Sequence, residues 1–182
     1  MKILLVAASP DQSSSFKKRL QELRSFIETM HCSVTLIDLA DKVIRFCTGC
    51  FSCWWKDPGR CIHQDDLEQI YPQILESDLM IFASPLSAGL PSWQIKCFQD
   101  RLIPLLHPYI ELRQGECHHQ KRYKHYPEIA LLVEKEADTE LADLELLEEL
   151  YRRFSLNFHS ALKGISSLSK SNEEIYHEIC SV

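Results

Sequence analysis

Several absences narrow the possibilities before any motif is considered. Positive charge is scarce: 20 Lys and Arg stand against 26 Asp and Glu, a formal net charge of −6. That balance gives no electrostatic reason to expect nucleic acid or an anionic membrane as partner. Long apolar runs are missing too, since none approaches the roughly 18–20 residues a bilayer span needs. The opening run MKILLVAASPDQ is apolar only from Ile3 to Ala8, shorter than the roughly 7–15 residues of a secretory core region. It reads as a first buried strand, and the expected compartment is the cytoplasm. In a reducing compartment the eight cysteines are not expected to be four structural disulfides. Repeats, low-complexity tracts and linkers are also absent, so residues 1–182 are expected to form one domain. Glycine is limited to five residues.

What is present is an alternation of short apolar runs with helical patterns. Ile3–Ala8, Val34–Leu39, Leu79–Ala83, Ile129–Val133 and Lys163–Leu168 are strand candidates. Between them, Phe16, Leu20, Leu23, Ile27 and Met30 recur at helical spacing, as do Leu67, Ile70 and Ile74 behind an Asp66–Gln69 capping box. A third helix is expected from Pro91 to about Leu106, with Ile95, Phe98, Leu102 and Leu105 inward. A fourth follows Leu141, Leu144, Leu147, Tyr151, Phe154 and Phe158, and a fifth opens at Ser171 with Glu174. Five strands alternating with five helices predict an α/β three-layer sandwich around a five-stranded parallel sheet, in the flavodoxin-like order 2-1-3-4-5. Ligands of such sheets bind at the carboxyl ends of the strands.

Three segments fall on that rim. Ser9 to Ser15 lies between the first strand and first helix, where backbone N–H groups and serine hydroxyls suit a phosphate monoester, or simply cap a helix. Ser84 to Pro91 follows the third strand as a stiff loop whose backbone can read a planar heterocycle, or merely close onto a helix. The third is Cys47-x-x-Cys50-x-x-Cys53 with Cys61 beyond it. Its spacing is closer to iron–sulfur ligation than to zinc knuckles, with redox-active or inert thiols as the remaining alternative. Trp54 and Trp55 either shield such a centre or pack as core. Cys117-His118-His119 with His125 has poor geometry for one ion, and the basic run from Arg113 to Lys124 is a solvated loop or a contact for a dinucleotide or a subunit. Asp100-Arg101 is expected as a structural ion pair, and Glu134, Glu136, Asp138 and Glu140 as the start of a helix. No acid or base stands out as catalytic.

Taken together, Cys47-Thr-Gly-Cys50-Phe-Ser-Cys53-Trp, Pro58-Gly59-Arg-Cys61, Asp65-Asp66-Leu67, Ser84-Pro85, Lys96 and Asp100-Arg101 resemble the iron–sulfur flavoprotein branch of the NADPH-dependent FMN reductase family. The resemblance covers residues 1 to about 108. It implies a flavodoxin-like fold, noncovalent FMN, NAD(P)H as electron donor to an acceptor it does not specify, and homodimers or homotetramers with the flavin near a subunit interface. It further implies that Ser9, Ser14, Ser15 and the Phe16 backbone hold the FMN phosphate. Pro85, Leu86, Ser87, Ala88 and Gly89 would line the isoalloxazine, and Cys47, Cys50, Cys53 and Cys61 would hold a 4Fe–4S cluster. The chain departs from the family pattern at Ala8 and Asp11, where glycine and arginine are usual, at Ser87, where an aromatic is common, and at Glu134-Lys135-Glu136. These departures keep open a non-enzymatic electron relay or sensor built on a metal-binding cysteine loop.

Overall fold

A computed structural model describes residues 1–9 and 15–181. Strand β1 (Lys2–Ala7) is buried from Ile3 onward, as a strand covered on both faces must be. Helix α1 (Ser15–Thr29) buries Phe16, Leu20, Leu23 and Ile27 along one stripe; Met30 falls beyond its end and is exposed. After β2 (Ser33–Asp38) comes the cysteine segment, irregular except for the single turn α2 (Ser52–Trp55). Helix α3 (Leu67–Glu76) continues through Pro72, whose ring lies on the exposed face.

Strands β3 (Leu79–Ser87) and β4 (Leu90–Pro91) lead into α4 (Trp93–Asp100). Next come β5 (Leu106–Arg113), β6 (Glu116–Lys121) and β7 (Glu128–Glu134). The chain closes with α5 (Leu141–Asn157), β8 (Leu162–Ser167) and α6 (Asn172–Ile179).

The central ladder runs β2-β1-β3-β7-β8 and is parallel throughout. Counting only these strands, the order is the expected 2-1-3-4-5. The alternation of side chains along each strand divides the core in two. Leu4, Val6, Met80, Phe82 and Leu131 pack against α3, α4 and α5. Ile3, Leu5, Leu79, Ile81 and Leu132 pack against α1 and α6.

Four local expectations need correction. Residues 84–91 are not a plain loop: β3 runs on to Ser87 and turns back through Ala88 and Gly89, at φ 50° and 74°, onto the antiparallel β4. Two consecutive left-handed residues are what a two-residue hairpin turn with the native strand twist demands. The basic stretch after Arg113 is likewise a hairpin strand, with Gln114 and Gly115 at φ 52° and 82° joining β5 to β6. The helix expected to reach Leu106 stops at Asp100 and gives way to a tight turn over Ile103–Leu105; Pro104 has no N–H to extend it. Its four expected core residues are nonetheless buried. Finally, Asp66 makes no side-chain cap on α3. Asp65 accepts from the Leu67 N–H at 3.3 Å, while Asp66 accepts from Val43 N–H at 2.7 Å.

Candidate functional site

The parallel register aligns the strand ends that carry the site. Ala7 lies beside Ala83, and Ser84 beside Val133. Just past β1, Ser9 is buried, its N–H 3.5 Å from Asp38 Oδ1. Among the described residues its hydroxyl has no hydrogen-bond partner. A buried hydroxyl left without a partner is costly, and this one lies just past the carboxyl end of β1. Asp38 also accepts from Ala40 N–H at 3.1 Å and pairs through Oδ2 with Lys17 Nζ at 3.0 Å. Ser14 lies outside the described residues. Ser15 opens α1 and is exposed, whereas the Phe16 side chain is core, which leaves only its backbone for a ligand. Beside Ser15 a cavity of about 600 Å³ has a lining of mixed charge, with Lys18, Arg19 and Lys135 set against Glu22 and Glu134.

On the hairpin, Ser84 Oγ donates to Pro85 O at 2.7 Å and accepts from Ser92 N–H at 2.9 Å, tying both arms together. Leu86 is fully buried, so its side chain is part of the core. Pro85, Ser87, Ala88 and Gly89 remain accessible to varying degrees. A Cβ on Gly89 would stand 2.8 Å from Asp143 Oδ1, so the turn presses closely on the first turn of α5.

The four cysteines Cys47, Cys50, Cys53 and Cys61 line one cavity of about 760 Å³, walled on its other side by α4 and α5. Gly49 turns the loop at φ 64°. Cys53 is buried, and burial pushes its thiol up to about 11, with the neighbouring Cys61, Cys47 and Cys50 adding to the shift. Cys50 is exposed, and hydrogen bonds from Ser52 hold its thiol below the ordinary value. Among the described residues no three His, Cys, Asp or Glu side chains close round a point as one ion requires. A four-iron cluster asks instead for four thiolates gathered in one pocket, and the donor set fits that requirement in kind and number. Trp54 is half-buried, stacked on Phe51 with centroids 5.2 Å apart and donating from Nε1 to Leu106 O at 3.1 Å. Trp55 is exposed and shields nothing within one chain.

Beneath the cysteine segment lies a buried ion pair. Arg101 donates from its two terminal nitrogens to Asp65 at 2.8 and 3.2 Å, and to Arg45 O at 2.6 Å. The expected Asp100–Arg101 pair does not form: Asp100 pairs with Lys96, and Arg101 reaches inward. The Arg101 charge also lies near Cys61. Cys117, His118 and His119 alternate in direction on β6. His118 stands 3.4 Å from Glu116, while the His119 ring packs 4.8 Å from Trp54. Arg113 and Arg122 donate to Leu156 O and Leu106 O. Of the acidic set expected to start a helix only Glu140 does so, capping α5 with Asp143 accepting from its N–H at 2.9 Å, whereas Glu134 ends β7 and Glu136 and Asp138 lie in the connection between. Sequence reasoning did not single out Gln99 as a site residue, and placed Tyr151 only in the core; both line the large cavity.

The parallel order and the strand-end rim define a flavodoxin-like α/β protein. Its fold matches that of an NAD(P)H:quinone oxidoreductase from Methanothermobacter marburgensis, with a TM-score of 0.61 at 15% identity over 92% of this chain and 87% of that one. The chain belongs to the NADPH-dependent FMN reductase family, whose model matches residues 1–121. An iron-sulfur flavoprotein of Archaeoglobus fulgidus is 32% identical over 107 residues, 59% of this chain and 48% of that protein. One of Methanocaldococcus jannaschii is 32% identical over 105 residues, 58% of this chain and 53% of that protein. The chain thus spans about half the length of the curated relatives it matches. No helix among the described residues is long and apolar enough to cross a membrane.

Proposed function

We propose that the protein is an FMN-dependent oxidoreductase that takes electrons from NAD(P)H and passes them to an acceptor, with a 4Fe–4S cluster in the cysteine segment. The observation that carries this reading is the buried Ser9 hydroxyl, without a partner among the described residues, at the end of β1 beside the strand that carries the 85–89 hairpin. FMN, when bound, supplies hydride acceptance and one-electron release; the protein supplies placement and tuning.

In this reading Ser9, Ser14, Ser15 and the Phe16 backbone hold the phosphate, aided by the positive end of α1. Pro85, Ser87, Ala88, Gly89 and the Leu86 backbone support the ring. Cys47, Cys50, Cys53 and Cys61 bind the irons, and the buried Arg101–Asp65 pair beneath them holds the segment in place. The exposed aromatics Phe46, Phe51, Trp55 and Trp93 around this segment support assembly into a homodimer or homotetramer.

The decisive measurement is the visible spectrum of protein purified without oxygen, with iron, sulfide and FMN analysis. Stoichiometric FMN that NADPH or NADH bleaches is the expected result. A colourless protein that cannot be reconstituted with FMN overturns the oxidoreductase reading. Zinc in place of iron removes the cluster while leaving the flavin reading intact.

A further inference from the structure

The chain from Arg60 to Asp65 has no regular structure, yet its exposure alternates. Arg60, Ile62 and Gln64 are exposed, while Cys61, His63 and Asp65 are turned inward. Asp65 is pinned by the Arg101 guanidinium and by the N–H groups of Arg45 and Leu67, which anchors this inward set. His63 thereby lines the same cavity as Cys47, Cys50, Cys53 and Cys61.

The His63 ring is half-buried, but its Nε2 is fully buried and has no hydrogen-bond partner among the described residues. A polar atom sealed from solvent in this way is costly, and a bound group or an ordered water is what satisfies it. The carboxylates next along the chain are committed elsewhere, Asp65 to Arg101 and Asp66 to Val43 N–H. Four thiolates complete the ligand set of a 4Fe–4S cluster, so no iron is left for an imidazole. The sulfides and ligating thiolates are acceptors, however, and hydrogen bonds to them are one of the levers on cluster potential. Cys50 already has such donors in Ser52 and Thr48. On the Cys61 arm, His63 offers another.

We propose that His63 donates from Nε2 to a sulfur of the 4Fe–4S cluster and raises its reduction potential without binding iron. This role rests on the cluster reading of the cysteine segment. The reduced cluster carries one more negative charge than the oxidised one, so an N–H aimed at sulfur stabilises it more.

The test uses the intact protein reconstituted anaerobically with iron and sulfide and titrated electrochemically. Electron paramagnetic resonance follows the cluster, and absorbance follows the flavin. His63→Leu should keep the parent's iron, sulfide and FMN content. It should hold the added electron about tenfold less tightly, a cluster midpoint about 59 mV lower. His63→Gln, whose side-chain amide nitrogen reaches a similar position, should recover most of that shift. The flavin midpoint should be the same in all three. With isotopically labelled histidine, pulsed resonance of the reduced parent should show one weak nitrogen coupling that His63→Leu abolishes.

An unchanged cluster midpoint in His63→Leu overturns the assignment, since Nε2 is then satisfied by water or by the protein. Loss of iron in both variants, or a strong coupling of the kind a bound imidazole gives, overturns it in favour of a ligand or a purely structural role. If neither variant folds, the coupling in the parent decides, and its absence counts against His63. A parent that takes up no iron refutes the cluster reading itself, whereas a parent with iron and no nitrogen coupling refutes only the role of His63.

Discussion

Gly89 carries two constraints at once. Its φ of 74° is a conformation that side chains rarely adopt, and a Cβ there would press on the Asp143 carboxylate. Gly89→Ala is therefore expected to destabilise the fold by at least about 1 kcal/mol, read as a lower urea midpoint at unchanged slope. The sequence marked Gly89 as a site residue. It did not reveal the hairpin, because Ala88 is not a residue that announces a left-handed turn. The cysteines divide by environment in the same way. Cys180 is buried against α6 and the sheet, and burial pushes its thiol up to about 12. Cys117 is exposed on β6. Since the thiolate is the nucleophile, iodoacetamide at neutral pH should label Cys117 in native protein and reach Cys180 only after unfolding. Peptide mass mapping with and without denaturant checks this, and native labelling of Cys180 would contradict its burial.

At the scale of elements, the Asp65–Arg101 pair clips three segments together. It joins the start of α3 to the end of α4, and through Arg45 N–H and O it holds the lead-in to Cys47. Asp65→Asn leaves Arg101 buried without its counter-charge, which costs about 3–5 kcal/mol, and should also loosen the cysteine segment. Burial alone would raise the Asp65 pKa, but the Arg101 hydrogen bonds and the Arg45 and Leu67 N–H groups outweigh it, so the carboxyl is held below its ordinary value. A group depressed on folding gives its full stabilisation above its unfolded pKa and loses it as pH falls through the folded one. The urea midpoint should therefore drop on acidification below about pH 4, with a shallower acid limb in Asp65→Asn than in the parent. Parallel acid limbs would show that other carboxylates govern it. The two residues of the pair were visible in the sequence as part of a motif, but not as partners. They are 36 positions apart, and nothing in local spacing reports a contact that only the packing of α4 beneath the cysteine segment creates.

Across the whole molecule, what was legible in the sequence was whatever a repeat of two or 3.6 residues records. The buried parallel strands, the inner faces of α1 and α3, and the Ser171–Glu174 box on α6 follow directly from such patterns. The β5–β6 hairpin did not, because its strands face solvent on much of their surface. Tyr109, Ile110 and Leu112 are exposed there among charged residues, so no apolar alternation marks them. That the four cysteines line one cavity with residues of α4 and α5 was not legible, because the wall opposite them comes from positions far along the chain.

The same distribution of surfaces sets the last prediction. Phe46 and Trp93 pack against each other, tilted by 36° with centroids 5.6 Å apart, and Phe51 and Trp55 belong to the cysteine segment, all more than half exposed. An apolar face of this kind is unusual on a monomer and typical of a contact surface. Light scattering after size exclusion should give a mass of at least twice 21.2 kDa. Trp55→Lys combined with Trp93→Lys should shift the mass to that of one chain. Because both side chains project into solvent, the far-UV spectrum and urea midpoint should stay close to the parent's. A monomeric parent, or a double variant that keeps the larger mass, would exclude this face as the subunit contact.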